Sequence, residues 1–363
     1  MIRAIPTGTG FYIWQLASVL PVSRLIEALQ RAKASWVSIK VADGNAIYNR
    51  IDENGKASRD DHFLMSVIQQ LQAAGISVGG WQYVYPQPTA NPGSQSGLAG
   101  ERFEKLKLDH WLVDAEHDRK VRAYWITLED GKANPKREYS ATQYMSTLKA
   151  NGLPSTAACA LSSHRFPDYF IGFPFKQFTH GRGEGANDFV APQVYWQEAH
   201  NPGEQLARCL AEYEVEIGGG FTYVPIGSAY GTDKWMPTVE DLQDFIGEAR
   251  ALRCPGWGFW SLDYVMKHNR TDWLDAIAGV VPTPEPPPVP EPVPVEGMRF
   301  RVMVDTMNVR AGPGTKYKDI GDLVEGQIVT AGNVAGEDVW IEVEDGKWCA
   351  VRTGGRTLMQ GVP

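Results

Sequence analysis

The sequence is poor in cysteine. Cys159, Cys209, Cys254 and Cys349 are the only four in 363 residues, and no two of them share the short spacing of zinc or redox motifs. Metal held by cysteine is thereby not expected, nor is any other metal or cofactor; buried thiols are expected, with a Cys209 to Cys254 bridge as the alternative. There is no apolar run of eighteen residues, so no membrane span is expected. The start, Met1-Ile2-Arg3-Ala4-Ile5-Pro6-Thr7-Gly8, lacks the charged-then-apolar order of a secretory signal. No dense run of Lys and Arg occurs and the formal net charge is -8, which argues against nucleic acid as a partner. No Gly-x-Gly-x-x-Gly turn follows the first strand-like run. Ser162-Ser163-His164 lacks the elbow glycines of a nucleophilic serine enzyme.

What is present is an ordinary globular composition, 43% hydrophobic and 21% charged, long enough for one large domain and one small one. The division is marked by a run of prolines from 282 to 296, which cannot form a helix or central strand because proline fixes φ and removes a donor. We therefore expect a large domain over 1–281, a linker over 282–297 and a small domain over 298–363. In polyproline II the linker would act as a semi-rigid spacer of roughly 40 Å.

Before the linker, an apolar strand-like run, a turn and an amphipathic helical run alternate through eight units. Strands are expected over 11–16, 36–41, 76–85, 111–117, 156–161, 189–196, 221–227 and 256–262. Helices are expected over about 21–34, 61–75, 92–107, 138–151, 174–181, 202–217, 238–253 and 270–280. Asn201-Pro202-Gly203-Glu204 and Thr238-Val239-Glu240-Asp241 read as helix starts, with a capping side chain followed by acids near the positive end of the dipole. Eight alternations predict a closed (β/α)8 TIM-type barrel. The weakest unit is the fifth, where 166–178 is crowded with aromatics and proline.

The chemistry is expected at Leu112-Val113-Asp114-Ala115-Glu116-His117-Asp118. A strand there would aim Leu112, Asp114, Glu116 and Asp118 to one face, at a desolvation cost that a purely structural strand avoids. The bland alternative is a strand end running into solvent. Glycoside hydrolysis needs one carboxylic acid to protonate the leaving oxygen and a second group to support the developing positive charge. Glu116, the longer, is assigned the acid, and Asp114 the stabilising role. Barrel enzymes work at the carboxyl ends of their strands, and those ends deliver Lys40 and Asp43, then Trp81, Tyr83 and Tyr85, then Gln193, Tyr195 and Trp196, then Trp260 and Asp263. Flat rings beside acids and amides suit the apolar faces and hydroxyl edges of a sugar, and these ten are the expected substrate-binding residues.

Two resemblances add to this reading. Trp36-Val37-Ser38-Ile39-Lys40-Val41-Ala42-Asp43-Gly44, Gly80-Trp81-Gln82-Tyr83 and Val113-Asp114-Ala115-Glu116 resemble, in order and spacing, segments of the family 25 glycoside hydrolases, lysozyme-like muramidases of bacteria and phages. The resemblance implies a barrel, a peptidoglycan substrate, Asp114 and Glu116 on the family's Asp-x-Glu pair, and Asp263 in the place of another site acid. It also implies that the substrate's own acetamido group assists, leaving Asp114 to orient it. Tyr12 stands where the family carries a first-strand acid, so the alternative is a non-catalytic carbohydrate-binding or virion-associated protein with a degenerate barrel, or a glycosidase acting on another polysaccharide. After the linker, short alternating runs predict a small all-β barrel. Met307-Asn308-Val309-Arg310-Ala311-Gly312-Pro313-Gly314, Trp340-Ile341-Glu342-Val343 and Gly346-Lys347-Trp348 resemble the bacterial Src-homology-3-like domain, which implies a cell-wall ligand. Trp340 and Trp348 could equally be core. Together these give a cell-wall hydrolase, endolysin or autolysin, acting outside the cell or on the wall. If phage-encoded, it would be released without a signal peptide.

Overall fold

The computed structural model describes residues 5–151, 153–154, 157–180, 188–279, 293–294, 298–314, 317–331, 333–335, 339–344, 346–353 and 356–362. The chain divides into two compact units, Met1–Val281 and Pro282–Pro363.

The first unit is built on strands β1 (Gly8–Ile13), β2 (Trp36–Asp43), β3 (Ser77–Tyr83), β4 (His110–Asp114), β5 (Ala158–His164), β6 (Phe189–Val194), β7 (Ile226–Ser228) and β8 (Gly256–Trp260). Each pairs in parallel with the next, and β1 pairs with both β2 and β8, so the sheet closes into the expected barrel. Helices α1 (Val22–Arg31), α2 (His62–Ala73), α3 (Pro92–Leu106), α4 (Arg137–Asn151), α5 (Phe175–His180), α6 (Pro202–Ile217) and α7 (Val239–Ala251) fill the crossovers. α8 (Leu262–Lys267) was not expected, and α9 (Thr271–Ile277) stands where the last helix was. The fifth unit is indeed the most irregular, a short 3-10 turn at Pro167–Tyr169 followed by the six-residue α5.

Period-two alternation sorts the strand residues. On β2, Val37, Ile39 and Val41 enter the layer between barrel and helices, packed with Leu64, Val67, Ile68 and Leu71 of α2. Trp36 faces the interior, with Tyr12, Trp81, Leu112, Phe189 and Ile226. The capping box at α7 forms as read, with the Asp241 amide donating to Thr238 Oγ1 at 3.1 Å and the Thr238 amide to Asp241 Oδ2 at 2.8 Å. Asn201 does not cap α6; its amide donates to Glu204 Oε2 instead. Cys209 and Cys254 are buried thiols, not a bridge.

Large interior side chains are accommodated by inward glycines. A Cβ on Gly10 would sit 2.0 Å from the Trp36 ring, and one on Gly258 2.6 Å from the same indole. Trp36 cannot retreat, because Tyr12 and His110 meet it edge-on at centroid distances of 5.6 and 5.7 Å. Gly10→Ala should therefore cost about 1–3 kcal/mol by overpacking, read as a lower melting midpoint; an unchanged midpoint would contradict this packing.

The second unit holds small antiparallel sheets. Thr306–Arg310 pairs with Asp319–Val324, Val339–Glu344 with Lys347–Thr353, and Arg299–Val302 lies between Ile328–Thr330 and Met359–Val362. Val302, Met307, Val309, Ile341 and Cys349 form its core, and Trp340 and Trp348 are buried beside Ala350. The expected spacer is shortened at its end, since Val293–Pro294 pairs with 333–334 as an edge strand, where a missing N–H is tolerated. The rest of 282–297 lies outside the described residues.

Candidate active site

β4 ends at Asp114, four residues earlier than the carboxylate alternation required. Leu112 and Asp114 face the interior by strand geometry, but Glu116 and Asp118 do not share that strand. Asp118 lies in a turn, exchanging backbone hydrogen bonds with Ala123, because the chain bends back over 118–123. Glu116 is carried by the loop just above the strand end and is partly exposed, whereas Asp114 is only 8% exposed. The reading of these acids as a hydrated strand end is thereby excluded for Asp114.

Asp114 floors a depression at the carboxyl ends of the strands, walled by Tyr12, Trp81, Tyr195 and Trp260, with Ser162 and Gln193 beside it. Gln193 Nε2 donates to Asp114 Oδ1 at 2.9 Å and reaches Ser162 Oγ at 3.3 Å. The depression encloses about 230 Å³ including its open mouth. Its closed floor has room for roughly one water-sized group, so only a substituent of a sugar ring can reach Asp114 while the ring lies on the rim. Among the described residues, the buried hydroxyls of Tyr12 and Tyr83 have no hydrogen-bond partner.

Burial, then the Glu116 charge, push the Asp114 pKa well above the usual carboxylate range, opposed by the Lys40 ammonium and the Gln193 amide. Burial, joined by the Asp118 charge, raises Glu116 as well, against Gln193 and Lys40. The pair thus holds a proton to higher pH than isolated carboxylic acids do. Linkage gives the consequence for stability. A folded-state pKa above the unfolded value means that the native state binds more protons, so Asp114 reduces stability as pH rises above about 4. Asp114→Asn should raise the melting midpoint at pH 7.5 by roughly 2–4 °C, with the gap closing near pH 4; a lower midpoint at pH 7.5 would contradict the burial argument.

The other expected site residues divide. Trp81, Tyr195, Trp260 and Gln193 line the depression. Lys40 is buried beside it, its ammonium paired with Asp43 at 2.6 Å and 4.9 Å from the Trp81 ring centroid. Tyr85 donates to Asp43 Oδ1 at 2.8 Å, and its ring lies 5.1 Å from Tyr83. Two residues are placed elsewhere. Trp196 alternates away from Tyr195, is 0% exposed and packs on Phe245 outside the barrel, so it touches no substrate. Asp263 lies past the end of β8 in the first turn of α8, where its carboxylate accepts the Trp14 amide at 2.8 Å, the Gln15 amide at 2.6 Å and the Ser18 hydroxyl at 2.9 Å. It is a brace, not a site acid. What it braces was missed: Trp14, 45% exposed, with its ring 6.5 Å from Trp260. Its signal was present, since Trp14 shares the parity of inward Tyr12 just beyond the end of β1. Among the described residues there is no group of three or more His, Cys, Asp or Glu fit to hold a metal, and no helix long and apolar enough to cross a membrane.

No family model and no curated protein matches this chain. Solved structures do. A GH18 chitinase from Pseudoalteromonas aurantia matches with a TM-score of 0.52 at 12% identity, over 76% of this chain and 100% of its own. Active domain 2 of the chitinase from Pyrococcus furiosus matches with a TM-score of 0.52 at 12% identity, over 76% and 97%. A chitinase from Rhizomucor miehei gives 0.50 at 12% identity, over 75% and 99%. At this identity the likeness is one of fold. This chain has the barrel those enzymes have.

Proposed function

We propose that the chain is a glycoside hydrolase acting on a glycan of N-acetylated amino sugars, with Glu116 as general acid and Asp114 as the group that orients the substrate's acetamido substituent. The observation that carries this reading is the division of the two acids, Asp114 sealed on the floor and Glu116 reachable above it. A carboxylate so buried, hydrogen-bonded to Gln193 and raised in pKa is a poor nucleophile for an anomeric carbon on the rim. An acetamido group held in the open mouth can turn its N–H toward the floor, and its carbonyl oxygen can attack the anomeric carbon while Glu116 protonates the leaving oxygen, the alternative to a protein nucleophile in substrate-assisted glycosidases. Asp114 then accepts a hydrogen bond from the acetamido N–H, and the Tyr12 hydroxyl is a donor within the same wall. Trp14 and Trp260 offer indole faces to the pyranose rings, with buried Trp81 packed edge-on against Trp260.

The similar structures are chitinases, and the Asp-x-Glu resemblance points to peptidoglycan; both chitin and peptidoglycan carry N-acetylglucosamine, the sugar this reading requires. In this reading the C-terminal unit holds the barrel on its polymer, outside the cell or on the wall. The test is incubation with N-acetylglucosamine oligomers and with peptidoglycan, following reducing ends and the anomer first formed by NMR. Release with retained configuration is expected from at least one polymer. Inverted product would contradict acetamido participation, and binding without release would leave a carbohydrate-binding barrel.

A further inference from the structure

Ser162-Ser163-His164, at the end of β5, contacts each backbone flank of Glu116. The Ala115 amide donates to the Ser162 carbonyl at 3.0 Å. Ser163 Oγ, buried, donates to the Ala115 carbonyl at 2.7 Å. The His117 amide donates to His164 Nε2 at 2.9 Å. His117 in turn accepts the Ile126 amide on Nδ1 at 3.1 Å, tying the same loop to its own return segment. His164 is itself fixed, its ring stacked on Phe170 at 3.5 Å between centroids and met edge-on by Phe173, while its carbonyl accepts the Tyr213 hydroxyl at 2.5 Å.

We propose that His164 is a positioning residue for Glu116, a neutral acceptor that fixes the amide following the acid and so aims its carboxyl at the leaving oxygen. The inference rests on the hydrolase reading above. The choice of histidine has a physical reason. Beyond the end of β4 the loop can no longer use strand pairing to fix direction, so the His117 N–H needs a side-chain acceptor. A carboxylate there would set a further negative charge near two acids that already repel each other, whereas a neutral imidazole with its proton on Nδ1 accepts the bond without one. Its flat ring also fills the aromatic layer under the loop. A general acid displaced by about 1 Å loses on the order of 10²-fold in rate, so a clamp on its backbone acts on turnover and not on affinity.

The experiment compares His164→Phe, which keeps the ring stack and deletes the acceptor, with His164→Gln, which restores an acceptor. On N-acetylglucosamine oligomers, His164→Phe should lose about 10- to 100-fold in kcat with KM within twofold. His164→Gln should recover most of that loss. In parallel, hydrogen exchange over the peptide containing 112–120 should speed up in His164→Phe and stay near wild type in His164→Gln. Should His164→Phe not fold, Ser163→Ala removes the bond on the other flank and should show the same split at smaller size. Unchanged kcat and exchange in His164→Phe would overturn the proposal, as would equal loss of kcat and affinity in both histidine variants. The exchange arm needs no turnover, so an inactive wild type would count against the hydrolase reading while exchange still decides the clamp.

Discussion

Glu116→Gln should abolish measurable hydrolysis, lowering kcat by about 10²- to 10⁴-fold, while the variant still binds N-acetylglucosamine oligomers with near wild-type affinity. The amide is nearly isosteric and keeps an acceptor for the Gln193 side chain, but it has no proton to give to a leaving oxygen. Glu116 is not among the residues lining the depression and meets it only through the Gln193 side chain that Asp114 also uses, so the loss should fall on kcat. The wild-type pH profile carries the same signature. Burial and the Asp118 charge raise the Glu116 pKa, so the protonated form survives to higher pH than in a free glutamic acid, and activity should fall as pH rises through that shifted value. An alkaline limb at the ordinary glutamate pKa would contradict the burial of the acid. Comparable loss of affinity and of kcat in Glu116→Gln would make it a binding residue instead.

The second large effect concerns the frame. Asp61, immediately before α2, is buried with its carboxylate 2.8 Å from Arg102 Nη1, 2.7 Å from Lys105 Nζ and 3.3 Å from Arg50 Nε. Arg102 is itself fully buried on α3, so these charges join the loop after β2 to the third helix with no water to replace either partner. Hydrogen bonds and charge from Lys105, Arg102 and Arg50 outweigh burial and hold the Asp61 carboxyl down at about 2. A folded pKa below the unfolded value near 4 means that the contribution is complete above pH 4 and disappears as pH falls from about 4 to about 2. Asp61→Asn leaves Arg102 buried and unpaired, which should cost about 3–5 kcal/mol, or roughly 10 °C in melting midpoint. The difference from wild type should shrink below pH 4. A loss under 1 kcal/mol at neutral pH would mean that solvent reaches Arg102 after all.

The barrel was legible because its signals are local. Apolar runs, capping pairs such as Thr238 and Asp241, and stripes such as Leu64, Val67, Ile68 and Leu71 depend on neighbours within two turns, and they placed most helices within about two residues. The site was legible only where a strand continued. Gln193 fell into place because period two governs β6, and Tyr195, just past its end at Val194, keeps the same parity; that parity, applied one residue further, would have turned Trp196 outward. Glu116 was placed near Asp114 for a reason that fails, since β4 stops at Asp114 and the acid is held by Ser163 and His164 through contacts that no spacing in 112–118 encodes. Asp263 was read as a site acid from the resemblance and from its place next to the end of the last strand; β8 stops at Trp260 and the chain turns into α8. The Asp61 and Arg102 pair had no local signal, being joined only by the packing of α2 against α3.

The most direct test is a structure of the Glu116→Gln variant soaked with penta-N-acetylchitopentaose. A pyranose ring against Trp260, its acetamido group inserted toward Asp114 and its glycosidic oxygen within about 3 Å of the residue 116 side chain, is the result expected here. A glycan bound away from the strand ends, or seated there with its acetamido group pointing to solvent, would contradict it.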